Sequence, residues 1–276
     1  MELIVFDLDG TLLNRSSEIS DYTSATLRKL SDRGIAYTVA TGRTLHGARA
    51  ILEGHGFELP QAFKNGVMIW HPEQRQLKSG ALLTRPELDH VVESSLDQGV
   101  TPFVFTLGDH DESNVYHPPL QNEVERQLIE HFGLAEKIVA RPLEELPADA
   151  GITHVNCIGD GVKIEAVFDN VNDEPNLVAY SGVALEGERW RWLDVHHSDA
   201  SKGGAIKLLK EMLGLERVIV FGDSDNDLSM FEAADESYAP ENAKAALKSA
   251  ATAVIGHHDD EGIARFLRKR FELDRG

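Results

Sequence analysis

Short apolar runs that stop on polar clusters alternate with amphipathic segments along this chain. Residues 3–6 are apolar, β-branched in the middle, and halt at Asp7, which is the pattern of a buried parallel strand. Ser20 stands where it can cap a helix carrying Tyr22, Leu27 and Leu30 on one face and ending at Gly34. Residues 35–40 predict a second strand, followed by Thr41-Gly42-Arg43. A helix with Leu45, Ala48, Ile51 and Leu52 comes next and stops at Gly54 and Gly56. This β-α-β-α order predicts a parallel sheet with helices on its faces.

The rhythm then changes. Residues 62–63 and 67–70 flank Lys64-Asn65-Gly66, a hairpin turn by composition. Pro86 opens an amphipathic helix with Leu88, Val91, Val92 and Leu96, ending near Gly99. Further segments alternate differently from the opening: a strand at 102–107, a polar turn at 109–113, a helix around 122–132, strands at 153–158 and 176–180. Residues 85–187 therefore read as an inserted α/β domain. Residues 1–84 and 188–276 supply the core, a Rossmann-like doubly wound parallel sheet, to which 189–195 contributes a resumed strand. Lys202–Leu213 reads as a helix, 218–221 as a short buried strand, and 227–234 as a helix start. The predicted fold class is α/β.

Composition narrows the partners. Among 276 residues, 27 Lys and Arg face 46 Asp and Glu, a net charge of −19. Nucleic acid and anionic membrane surfaces both need a basic footprint, so neither is an expected partner. A phosphorylated small molecule remains possible if a metal or a few placed cations receive it. The single Cys157 cannot form an intramolecular disulfide and reads as a buried apolar residue. No leader-like or membrane-spanning stretch is evident, and a cytoplasmic setting is expected.

In an open parallel sheet, ligands bind beyond the carboxyl ends of the strands. Asp7-Leu8-Asp9-Gly10-Thr11 follows the first strand, and period-2 spacing can aim both carboxylates at one side. Thr41-Gly42 follows the second, Lys202 opens a helix after the 189–195 strand, and Gly222-Asp223-Ser224-Asp225-Asn226-Asp227 follows 218–221. A carboxylate attacks a phosphate dianion poorly because like charges repel. A magnesium ion shared by Asp7, Asp223 and a backbone carbonyl would lower that repulsion. Lys202 adds positive charge, and Thr41 can offer its hydroxyl and backbone amide to phosphate oxygens, or cap the helix that follows. An aspartyl-phosphate would split one hard step into two, with Asp9 as acid to the leaving oxygen and base towards water.

The stretches D-L-D-G-T-L-L, T-G-R, S-K-G and G-D-S-D-N-D resemble the four motifs of the haloacid dehalogenase superfamily. The insertion between the second and third motifs is similar to the type IIB cap of the Cof-like hydrolases, as are the Asn65-Gly66 turn and Leu193-Asp194-Val195. This resemblance implies Asp7 as nucleophile and magnesium ligand, Asp9 as acid/base with a metal-binding backbone oxygen, and Asp223 as the third ligand, supported from behind by Asp227. It further implies phosphate held by Thr41, Gly42, Lys202 and Asn226 with the Leu8 amide, and a cap that closes over a sugar phosphate or similar metabolite. Arg43 could reach the substrate or bridge to the cap, and Asn65 is a second candidate substrate contact. His196-His197-Ser198-Asp199-Ala200 departs from the Pro and Gly common in relatives.

Rival readings are a phosphosugar mutase of the same superfamily and a phospho-acceptor signalling module. The latter is about half this length and lacks the second acidic cluster. Histidine pairs at 196–197 and 257–258 raise a transition-metal reading, but adjacent histidines are not expected to face one point. Trp190 and Trp192 share a strand face and read as packing residues.

Overall fold

The computed structural model describes residues 2–107, 113–135, 138–184 and 187–274, so the acidic turn expected at 109–112 lies outside the described residues. Strands are β1 (Glu2–Phe6), β2 (Ala36–Val39), β3 (Gln61–Phe63), β4 (Met68–His71), β5 (Gln76–Ser79), β6 (Pro102–Leu107) and β7 (Ser113–His117). They continue as β8 (Val139–Pro142), β9 (Ile152–Asp160), β10 (Leu177–Val183), β11 (Trp190–His197), β12 (Arg217–Phe221), β13 (Glu236–Pro240) and β14 (Ala253–Ile255). Helices are α1 (Asp21–Asp32), α2 (Leu45–Leu52), α3 (Arg85–Asp97), α4 (Glu123–Ala135) and α5 (Gly161–Asn172). The last four are α6 (Lys202–Leu213), α7 (Leu228–Ala233), α8 (Ala245–Ala250) and α9 (Gly262–Arg270). None is long and apolar enough, among the described residues, to cross a membrane.

The chain divides into two compact units, Met1–Gly80 with Ala200–Gly276, and Ala81–Asp199. The first is built on a parallel sheet in the order β14-β13-β12-β1-β2. Successive residues of β1 serve opposite faces, as a pleated strand requires. Ile4 and Phe6 pack with Leu27 and Leu30 of α1, Ala48 and Leu52 of α2, and Leu267 of α9. Leu3 and Val5 pack with Ile206 and Leu209 of α6, Met230 of α7 and Leu247 of α8. Both faces are covered, so residues 3–6 of β1 and 218–221 of β12 are apolar on both sides, and the sheet is doubly wound. A small antiparallel sheet, β3-β4-β5, completes this unit.

The second unit holds a six-stranded sheet in the order β10-β11-β9-β6-β7-β8, antiparallel except where β7 meets β8. Helices α3 and α5 cover one face through Leu88, Val91, Ile164 and Val167. On the other, Phe103 and Phe105 pack against Phe132 of α4. Cys157 is buried in this unit, as expected.

Several expectations are corrected. The strand at 190–197 does not join the parallel sheet: β11 pairs antiparallel with β9 and β10, and residues 81–84 and 188–199 belong to the inserted unit. Strand character in a single segment carries no information about its partner strand, and that ambiguity misled the boundary. Tyr22, expected on the buried face of α1, is exposed and lies under the guanidinium of Arg268, 4.1 Å from ring centre to Cζ. Trp190 packs on the Phe103 cluster, and Trp192, 37% exposed, lays its ring against Gly182. Strands β5, β7, β8, β13 and β14 were not anticipated. His196 and His197 are paired residues at the end of β11, so the unusual loop is shorter than the sequence suggested.

Candidate active site

The carboxyl ends of β1, β2 and β12 bring their polar loops together. Asp7 continues β1 by donating its amide to the Phe221 carbonyl of β12 at 2.9 Å, which places its side chain beside the loop that follows β12. The chain then turns through Leu8–Leu12, with Gly10 at φ 72°. A β-carbon at Gly10 would stand 2.5 Å from Asp223 Oδ2, so glycine is required both for the turn and for the approach of Asp223. Thr11 donates its hydroxyl towards Asp223 Oδ1 at 3.4 Å. Asn242 donates to the Gly10 carbonyl at 2.7 Å and accepts the His258 amide. Asn242 follows the unforeseen strand β13, and no motif or periodicity marked it.

Lys202 is the first residue of α6, behind Ser201, whose hydroxyl caps the helix by accepting the Gly204 amide at 3.1 Å. A β-carbon at Gly203 would sit 2.4 Å from the Ser229 carbonyl, so the S-K-G stretch lets α6 press against α7. The Lys202 ammonium is fully buried and donates to Asp7 Oδ1 at 2.5 Å and to Asp227 Oδ1 at 2.6 Å. Asp227 uses its other oxygen for the Asp223 and Ser224 amides, at 2.8 and 2.9 Å. Its carboxylate is thereby committed to holding the loop and the lysine.

The Thr41 loop sits beside these groups. Asn65, at φ 57°, donates its amide to the Thr41 carbonyl, and its side-chain oxygen accepts from Asn226 Nδ2 at 2.9 Å. Asn65 is buried and supports the loop through these bonds, with Gly42 packed closely against it. The Thr41 amide donates to the Ala62 carbonyl at 3.0 Å. It is therefore spent, and the sequence expectation that it could serve phosphate is corrected: only the hydroxyl remains. The Leu8 and Gly42 amides have no partner among the described residues. Arg43 bonds both oxygens of Asp9, Nε to Oδ2 at 2.7 Å and Nη2 to Oδ1 at 2.6 Å.

Electrostatics mark this cluster as frustrated. Burial pushes the Asp7 carboxyl up to about 8, with Asp227 and Asp223 adding to the rise and Lys202 opposing it. Burial and Asp227 likewise raise Asp223 to about 6. Burial disfavours the Lys202 charge, but Asp227 and Asp7 outweigh it and keep the amine charged. Asp7, Asp223 and Asp227 each offer an oxygen within 4.8 Å of the others. With Asp227 engaged by Lys202 and two amides, Asp7 Oδ2 and Asp223 Oδ2 are the carboxylate oxygens left open. Hard, crowded oxygen donors with raised proton affinity fit a small divalent cation such as magnesium.

His257, His258 and Asp259 also lie within 4.8 Å of one another, closer than adjacent histidines were expected to come. One ring nitrogen of each histidine is engaged, His258 Nδ1 with the Leu13 carbonyl at 2.7 Å and His257 Nδ1 with the Asp259 amide, and both Asp259 oxygens accept from Arg15.

The chain is 28% identical over 281 residues to the 5-amino-6-(5-phospho-D-ribitylamino)uracil phosphatase YitU of Bacillus subtilis, covering 98% of each chain. A solved haloacid dehalogenase-like hydrolase from B. subtilis superposes with a TM-score of 0.75 at 26% identity, over 97% of this chain and 99% of that one. A sugar phosphatase of subclass IIB shares the fold, with a TM-score of 0.76 at 20% identity over 99% and 100% of the two chains. The family profile described as haloacid dehalogenase-like hydrolase spans residues 4–267, so the four stretches around Asp7, Thr41, Lys202 and Asp223 stand in one continuous match, and this chain belongs to that family.

Proposed function

We propose that this chain is a magnesium-dependent phosphomonoester hydrolase that works through an aspartyl-phosphate on Asp7 and acts on a sugar phosphate or similar small ester. The observation that carries this reading is the split use of the Asp7 carboxylate. Oδ1 is held by the buried Lys202 ammonium, while Oδ2 has no partner among the described residues. A nucleophile needs one oxygen fixed and the other free, and this side chain has both.

Asp7 Oδ2 attacks phosphorus, and the bond to the ester oxygen breaks. Asp9 gives that oxygen its proton. Water then attacks the phosphorus of the intermediate, the bond to Oδ2 breaks with its electron pair returning to Asp7, and Asp9 takes the proton of the water. Lys202, the Thr41 hydroxyl and the Leu8 and Gly42 amides are suited to hold the phosphoryl oxygens, with Asn226 at their edge. Magnesium, held by Asp223, the Asp9 backbone oxygen and the Asp7 oxygen that is not the nucleophile, would supply charge neutralisation at the phosphoryl group. The inserted unit is read as a cap of type IIB that sets substrate choice. The Bacillus relative is named for a substrate with a phosphorylated ribityl chain, and the subclass IIB neighbour is a sugar phosphatase. Both support a phosphorylated polyol or sugar.

The test is a panel of phosphate esters with magnesium, run on the parent and on Asp7→Asn. Phosphate release by the parent and loss of nearly all turnover in the variant are expected. Conversion of a phosphosugar to its isomer without phosphate release would mean a mutase. Equal phosphate release by parent and variant would falsify the assignment of Asp7.

A further inference from the structure

The Asp9–Arg43 pair is built more firmly than a surface ion pair needs. The guanidinium meets both carboxylate oxygens in a fork, at 2.6 and 2.7 Å. Arg43 is itself tied down at both ends. Its amide donates to Thr41 Oγ1 at 3.1 Å, its carbonyl accepts the Lys64 amide at 3.0 Å, and Nη1 reaches the Gly47 carbonyl of α2 at 3.4 Å. The Arg43 side chain is about three-quarters buried, at 26% exposure, whereas that of Asp9 is 54% exposed. An anchored cation thus holds a more open carboxylate.

We infer that Arg43 is a positioning residue for Asp9, fixing the carboxylate that receives the proton of the attacking water when the Asp7 acyl phosphate is hydrolysed. This rests on the reading of Asp7 and Asp9 given above. Each carboxylate oxygen has two lone pairs, and the fork occupies one on each. The remaining pair on either oxygen can accept from water without the ion pair parting. In that step the water oxygen bonds to phosphorus, the bond from phosphorus to Asp7 breaks with its electrons returning to the carboxylate, and the water proton passes to Asp9. The first transfer is different, because Asp9 must then give a proton to the leaving oxygen. With a leaving group stable as its anion, such as p-nitrophenolate, that demand largely disappears. Loss of Arg43 therefore falls on the second half-reaction.

The experiment uses p-nitrophenyl phosphate with magnesium, follows nitrophenolate in the first turnover, and traps the phosphoenzyme by acid quench. Arg43→Ala is expected to release up to one nitrophenolate per active site in a burst, then to turn over about 10²-fold slower than the parent, within the usual range for loss of a general base. The phosphoenzyme accumulates. Asp9→Asn gives the same pattern, and adding Arg43→Ala to it slows turnover by no more than about threefold, because both changes act on one step. Arg43→Lys, which keeps the charge but not the fork, falls between the parent and Arg43→Ala.

A substrate-binding role for Arg43 predicts something else: a raised KM, no burst, and the full loss repeated in the Asp9→Asn background. That result overturns the inference and leaves Asp9 untouched. If no phosphoenzyme is trapped in Asp9→Asn and Asp7→Asn still turns over, the underlying reading falls, and the role of Arg43 falls with it.

Discussion

Lys202 and Asp227 form a wholly buried ion pair at 2.6 Å, and the second oxygen of Asp227 holds the two amides that shape the Asp223 loop. One carboxylate thus joins the start of α6 to the loop after β12. Removing it leaves the ammonium buried with Asp7 as its single partner and frees two amides. A buried charge stripped of a partner usually costs about 3–5 kcal/mol. Asp227→Ala should therefore lower the urea unfolding free energy by an amount of that order, and an unchanged midpoint would show that the pair does not hold the fold.

Magnesium should stabilise the folded chain. The open oxygens of Asp7 and Asp223 sit in a crowd of acids whose mutual repulsion a cation relieves. At a hundredfold excess over Kd, one bound ion adds about 2.7 kcal/mol. The unfolding temperature is expected to rise with magnesium, to fall back with EDTA, and to respond much less in Asp223→Asn. A parent whose melting ignores magnesium argues against the site.

His196 is buried at the end of β11, and burial holds its imidazole below the ordinary value in spite of Asp194. The folded chain resists a proton that the unfolded chain accepts near pH ~6.5. Stability is then complete above that pH and declines as pH falls through it. His196→Gln should flatten this decline between pH 7 and 5, measured as unfolding free energy against pH. An identical slope in parent and variant would remove His196 as its cause.

Cys157 is sealed inside the inserted unit, where burial pushes its thiol up to about 12, partly opposed by Ser95. The thiolate is the reactive form. The native protein should resist alkylation at pH 8 and label fully in denaturant. Above the ordinary thiol value the unfolded chain loses a proton that the folded chain keeps, so stability declines from pH ~9 upward. Rapid labelling of the native protein would show that this unit opens far more often than its packing implies.

Local chemistry alone made much of the catalytic unit legible. Asp7, Thr41 and Asp223 each end an apolar run with a polar residue, and in a doubly wound sheet such ends converge, so strand periodicity and the carboxyl-end rule sufficed to group them. Ser201-Lys202-Gly203 was legible as a helix start for the same local reason. What the chain order did not reveal was partnership across space. Residues 190–197 read as a strand whether they pair with β12 or with β9, and only the hydrogen-bonded register assigns them to the inserted sheet. Asn65 was read as a substrate contact, Arg43 stood open between substrate and cap, and the Thr41 amide was counted as a phosphate donor. Each depends on which neighbour arrives first: Asn226 for Asn65, Asp9 for Arg43, Ala62 for Thr41. Residue type and spacing determine what a side chain is able to do. Hydrogen bonds are short and saturable, so what it does is decided only when the fold brings a partner within 3 Å.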